Sequence, residues 1–120
     1  MKIPYVELHC HSGFSFLDGA SHPEELVGRA VELGYPALAL TDHNGLYGSM
    51  EFAHAARNAG IQPITGAEVT LRDCFPGHAE PEGGYHVTLL AETPRGYANL
   101  CRLLTEAHMG SPRDDPRLPL

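Results

Sequence analysis

Two histidines separated by one residue, His9 and His11, close the apolar run Ile3-Pro4-Tyr5-Val6-Glu7-Leu8. Side chains alternate along an extended chain, so both imidazoles face one side and Cys10 faces the other. Neutral imidazoles fixed on one face are a ready pair of ligands for zinc, manganese or iron. Such pairs also occur in ordinary polar strand ends, so this one gains meaning from its company. Asp18, Asp42-His43 and Glu68 follow, each near the end of a predicted strand or in the loop beyond it. A carboxylate able to bridge, such as Glu68, is typical of sites that hold more than one ion. Taken singly, Asp42 reads equally as a helix cap and Asp18-Gly19 as a turn. His86 opens a predicted strand, His108 lies where it offsets a helix dipole, and His22, His54 and His78 read as surface or capping residues.

The elements that must position these groups alternate regularly. A strand over residues 5–9 leads into a loop, then a helix over 23–33 capped by Ser21, with Glu24 completing a capping box and Gly34 stopping it. Residues 37–41 are apolar on both faces, as buried parallel strands are. A loop over 42–48 precedes a helix over 49–58 that ends at Gly60. Residues 61–65 and 67–71 read as strand, with Gly66 as a bend or bulge. After a Pro- and Gly-rich loop over 72–85, residues 86–91 form another buried strand. Thr93-Pro94 opens a last helix with Tyr97, Leu100, Cys101, Leu104 and Ala107 at helical spacing. Beyond Gly110, residues 111–120 have three prolines and no periodicity, which marks a linker or severed connection after a domain over 1–110. About four strand–helix units imply an α/β fold, either a parallel sheet or part of a barrel. Ligands and catalytic groups gather at the carboxyl ends of such strands.

Composition narrows the function. Fifteen acidic against 8 basic residues give a formal charge of −7, which argues against this segment gripping nucleic acid by itself and suits divalent cations. Three cysteines form no Cys-x-x-Cys pair and no even framework, so a reduced, cytoplasmic setting is expected. None sits at a strand end, which argues against a closed structural zinc site. No apolar stretch approaches a membrane span, and the amino-terminal residues lack a signal peptide's apolar region.

His9-x-His11-Ser12, Ser15-x-x-Asp18-Gly19, Thr41-Asp42-His43 and Gly66-x-Glu68 together resemble the motif series of the PHP (polymerase and histidinol phosphatase) domain family over residues 5–108. The segments 16–26 and 40–48, and His86-Val87-Thr88-Leu89-Leu90-Ala91 with Gly96-Tyr97-x-Asn99-Leu100, resemble the amino-terminal PHP domain of bacterial DNA polymerase III alpha subunits, above all the error-prone alpha-like kind. The resemblance implies the amino-terminal part of a distorted seven-stranded (β/α) barrel with up to three divalent metals. It implies His9, His11, Asp18, His43, Glu68 and His86 as ligands, with His108 in reserve. Asp42 is the residue assigned to the catalytic set, orienting its neighbours or capping a helix. The later family ligands, a Cys or His and a closing Asp-x-His, are not in this sequence.

The implied chemistry is metal-dependent phosphoester hydrolysis, with 3′–5′ exonuclease or proofreading capacity in a polymerase. A DNA 3′ end would be reached through the parent polymerase, whose other domains are the expected partners. Nucleotide addition belongs to a palm domain absent here. One alternative is a non-catalytic scaffold stabilised by metal. Another is an amidohydrolase-like metallohydrolase, against which stand the Thr41-Asp42-His43 and Gly66-x-Glu68 motifs and the lack of a strand-end lysine.

Overall fold

The structure, a computed structural model, describes residues 4–119. Its first segment is extended, as expected, but is not a strand. It touches β1 (Ala37–Leu40) through a single parallel bridge, Glu7 to Leu38. The ladder stops because the Cys10 amide donates to the Thr41 hydroxyl (3.0 Å), a side chain in place of a carbonyl, while Thr41 N–H still donates to the Cys10 carbonyl (2.8 Å).

Helix α1 (Pro23–Glu32) starts at the expected residue, but its cap lies one residue later than Ser21. His22 is the N-cap, and its N–H donates to the Glu25 carboxylate (2.9 Å), so Glu25 and not Glu24 supplies the returning bond. Gly60, at φ 79°, ends α2 (Ser49–Ala59). Both helices share one core with β1. Val27 and Ala30 of α1, Leu38 and Leu40 of β1, and Phe52 and Ala56 of α2 form one core, with Phe52 wholly buried.

Strand β2 (Gln62–Arg72) is a single unbroken element where two had been expected. Gly66 is where it changes partner. Its first half runs parallel to β1, from Ala37 opposite Gln62 to Leu40 opposite Thr65. From Gly66 to Leu71 it runs antiparallel to β3 (Tyr85–Leu90). A β-carbon at residue 66 would run into the Leu89 carbonyl and lie 2.8 Å from the Leu90 side chain. Only glycine lets the two backbones approach so closely.

The antiparallel β3 corrects the expected parallel, buried strand. Parallel neighbours need a crossover, usually a helix, and residues 73–84 contain none. The chain therefore doubles back, and β3 is half-buried, with Val87 and Leu89 packed against a core and His86 and Leu90 exposed. Helix α3 (Pro94–Met109) is capped by the Thr93 side chain, which accepts from Gly96 N–H (3.0 Å). Leu100 and Leu104 of α3 pack on Ala67 and Val69 of β2 as a second core. Residues 111–119 return to the sheet: β4 (Leu118–Pro119) pairs parallel with Leu71–Arg72, and Arg117 bonds Asp115 (2.9 Å) and approaches Glu80 (3.4 Å). Among the described residues no helix is long and apolar enough to cross a membrane.

Candidate metal centre

Glu68 lies two residues past the partner switch in β2, and its side chain is almost buried. The loop after β1 continues alongside it. Glu68 N–H donates to the Asp42 carbonyl (2.9 Å), and Asn44 N–H donates to the Glu68 carbonyl (2.8 Å). This one extra parallel bridge sets His43 against Glu68. From the other side the first segment brings His9 and His11, with ring centroids 5.1 Å apart, onto the same carboxylate. Their shared direction matches the alternation read from the sequence, although the local backbone is not a strand.

The six candidate ligands converge. His9 Nε2 is 3.0 Å from Glu68 Oε1, while His11 Nε2 and His43 Nδ1 are 3.0 and 2.8 Å from Glu68 Oε2. Asp18 reaches in from the first loop to His43 Nε2 (2.9 Å) and to His11 Nδ1. Hydrogen bonds from His43 and then His11 hold its carboxyl below the usual range. His86 enters from β3, opposite Thr70, with its ring 5.7 Å from that of His43. Three overlapping ligand groups result: His9, His11 and Glu68; His11, Asp18 and His43; and His43, Glu68 and His86.

One detail of this cluster tests directly for a cation. His11 Nε2 and Glu68 Oε2 are buried and make no aligned hydrogen bond, although they stand 3.0 Å apart and His43 Nδ1 lies 2.8 Å from the same oxygen. Buried polar atoms are almost always paired. Two that are adjacent and lack an aligned hydrogen bond are donor atoms available to one ion. Ligands about 2.0–2.2 Å from one ion stand roughly 2.8–3.6 Å from each other, from octahedral to tetrahedral coordination. A donor set of imidazoles and carboxylates suits zinc, manganese or iron. The residues fit a divalent ion.

Asp42 stands apart from this cluster and caps no helix, since the N-cap of α2 is Gly48. Its carboxylate, 2% exposed, accepts the Ser12 N–H (2.6 Å), the Ser12 hydroxyl (2.7 Å) and the Ser15 hydroxyl (2.7 Å). The Ser15 oxygen in turn accepts from His43 N–H (3.0 Å). Asp42 therefore ties the loop carrying His11 and Asp18 to the loop carrying His43. It touches no candidate ligand atom.

Ser12, Ser15 and Asn44 are positioning residues that metal-ligand chemistry alone does not single out. Asn44 adopts φ 50° and clamps β2, its amide donating to Thr70 Oγ1 and accepting from Thr70 N–H, both at 3.0 Å. An asparagine directly after a candidate ligand was the available signal, because Asn tolerates the left-handed region and bonds nearby backbone. His108 lies outside the cluster, 2.6 Å from the Asn44 carbonyl through Nε2. His54 and His78 are exposed. Cys10, Cys74 and Cys101 are free and half-buried, and burial pushes the Cys10 thiol upward.

Sheet, covering helices and a histidine–carboxylate rim define an α/β domain of the kind built to hold divalent metals. The chain belongs to the PHP domain family, whose model matches residues 7–119. It is 56% identical over 113 residues to the error-prone DNA polymerase of Symbiobacterium thermophilum, covering 93% of this chain and 10% of that protein. To the error-prone DNA polymerase of Cutibacterium acnes it is 52% identical over 109 residues, covering 89% and 10%.

Among solved structures it resembles an amidohydrolase from Chromobacterium violaceum with bound sulfate and no metal (TM-score 0.65, 34% identity, 88% of this chain and 34% of that one). A two-domain protein from Bacteroides vulgatus containing a predicted PHP-like metal-dependent phosphoesterase shares the fold (TM-score 0.57, 22% identity, 84% and 32%). The chain thus spans about a tenth of these polymerase relatives and about a third of the two solved structures.

Proposed function

We propose that this chain supplies one wall of a divalent-metal phosphoesterase site, with His9, His11, Asp18, His43, Glu68 and His86 as ligands. The observation that carries this reading is the buried pair His11 Nε2 and Glu68 Oε2, which makes no aligned hydrogen bond, with His43 Nδ1 beside the same oxygen. Bound ions supply Lewis acidity, which makes an attacking water available near neutral pH and offsets charge on a phosphoryl oxygen. Glu68, with His9 and His11 at one edge and Asp18, His43 and His86 at the other, would hold the ions, and Asp42 fixes the loops through Ser12 and Ser15. The polymerase relatives support a place inside a longer DNA polymerase whose other domains are its partners, and in that setting the substrate would be a phosphodiester at a DNA 3′ end, cut by 3′–5′ exonuclease action.

Amide hydrolysis is the second reading, favoured by the likeness to the Chromobacterium violaceum amidohydrolase. Metal content of the purified chain, followed by hydrolysis of bis(4-nitrophenyl) phosphate and 4-nitroacetanilide with Mn²⁺ or Zn²⁺, for wild type and His9→Ala, separates the cases. Bound metal with phosphodiester turnover that falls in His9→Ala upholds the proposal. Turnover of the anilide alone favours the amidohydrolase. Metal without turnover makes the domain a metal-stabilised scaffold, and a metal-free protein removes the site altogether.

A further inference from the structure

The candidate ligand His43 sits in a loop that is gripped from both sides. On the amino-terminal side its N–H donates to the Ser15 hydroxyl (3.0 Å). On the carboxyl-terminal side stands Asn44 at φ 50°, a backbone conformation that residues other than glycine keep only where their surroundings over-determine it. Strand β2 supplies three anchors. Asn44 N–H donates to the Glu68 carbonyl (2.8 Å), and its side-chain amide spans Thr70 Oγ1 and Thr70 N–H (both 3.0 Å). These leave one polar group of Asn44 for another partner, its carbonyl.

That carbonyl belongs to the peptide joining Asn44 to Gly45. Glycine sets little steric limit on how such a peptide turns. No larger residue could supply the limit, because a β-carbon at residue 45 would overlap the Tyr47 ring. It comes instead from 64 residues away, where His108 Nε2 lies 2.6 Å from the Asn44 oxygen. A carbonyl only accepts, so Nε2 carries the proton and donates. The turn of α3 that bears His108 is itself fixed. Leu104 and Ala107 are buried, and Leu104 belongs to the core against which Leu46, from the His43 loop, also packs. His108 lines the same cleft of about 440 Å³ as Asp18, His43 and His86, yet joins none of the three ligand groups.

We propose that His108 is a positioning residue of the metal centre: by pinning the Asn44 carbonyl it fixes the backbone from which His43 is aimed at Glu68 and Asp18. The proposal rests on the metal reading for its consequence, and on the hydrogen bond alone for its mechanism. One such bond shifts a loop equilibrium by about threefold to tenfold. A ligand loop found less often in its binding geometry weakens apparent metal affinity by up to the same factor.

Co²⁺ is the probe, since its visible spectrum reports its ligands. In the whole chain, His108→Ala should bind Co²⁺ about threefold to tenfold more weakly with an unaltered spectrum, because no ligand is lost. His108→Gln, whose amide nitrogen can stand where Nε2 stood, should recover to within about twofold of wild type. His108→Asn is too short to reach and should behave as the alanine variant. Thr93→Ala weakens α3 at its far end and should leave Co²⁺ affinity unchanged. In EDTA, amide exchange at Asn44 N–H should quicken in His108→Ala by about threefold to tenfold. An altered Co²⁺ spectrum in both the alanine and glutamine variants would make His108 a ligand and overturn the assignment. Wild-type Co²⁺ affinity and wild-type Asn44 exchange in His108→Ala would overturn it too, as would equal weakening in Thr93→Ala. A wild type that takes up no Co²⁺ removes the metal reading, and the exchange comparison in EDTA still upholds or overturns the hold of His108 on the loop.

Discussion

Removing the Asp42 carboxylate asks whether two loops of the candidate metal centre hang on one buried acceptor. Asp42 accepts one amide and two hydroxyls, and the serines that supply them are as buried as it is. Asp42→Ala strands all three donors. Each buried, unsatisfied donor costs about 1–3 kcal/mol, and hydroxyls that can turn elsewhere sit at the low end. The sum is about 3–5 kcal/mol, a large share of the roughly 5–15 kcal/mol of a typical domain. Asp42→Asn keeps the shape and the acceptor facing Ser12 N–H but loses the charge-assisted bond at the other oxygen, a cost of about 1–2 kcal/mol. Urea unfolding followed by circular dichroism, in EDTA so that metal linkage does not enter, reads both. With a slope of about 1–3 kcal/mol per molar, the midpoint should fall by about 2 M for alanine and by under about 1 M for asparagine. An alanine variant within about 0.5 M of wild type would show that Asp42 does not organise these loops.

Ligand linkage gives a second expectation: Mn²⁺ or Zn²⁺ at about 100 times its dissociation constant adds about 2.7 kcal/mol of stability. The thermal midpoint should rise by roughly 10 °C, and the rise should vanish in Glu68→Gln. Gly66→Ala forces a methyl against the Leu89 carbonyl and the Leu90 side chain, and should lose about 1–3 kcal/mol in the same denaturation assay. Full wild-type stability there would refute the close approach of β2 and β3. Thr93→Ala deletes the cap on α3 and should cost about 1 kcal/mol, with amide exchange in that helix's first turn rising first.

Element identity was largely legible because periodicity and punctuation agree. The helices over Pro23–Glu32, Ser49–Ala59 and Pro94–Met109 fall where apolar spacing, Pro and Gly place them. Errors gathered where pairing partners decide the outcome. Residues 5–9 carry an apolar run suited to a strand, but the Thr41 hydroxyl intercepts the ladder. Gly66 looked like a break and is a change of partner within one strand. The Pro-rich tail lacks any pattern of its own, yet two of its residues dock on β2. Strand direction at β3 was read as parallel from alternation, and the absence of a crossover helix reversed it.

For the candidate centre, residue types and spacing alone nominated His9, His11, Asp18, His43 and Glu68, because metal chemistry needs particular donors and strand period fixes which share a face. His86 came forward only through family resemblance, since a strand's opening residue has no reason of its own to face a rim. Tertiary structure decided the rest. An antiparallel β3 is what delivers that opening residue to the rim, with His86 opposite Thr70. Burial left His11 Nε2 and Glu68 Oε2 without aligned hydrogen bonds, and folding turned Asp42 inward to Ser12 and Ser15. Donor identity is written in local sequence, but which donors meet, and which remain unsatisfied, depends on contacts between segments far apart in the chain.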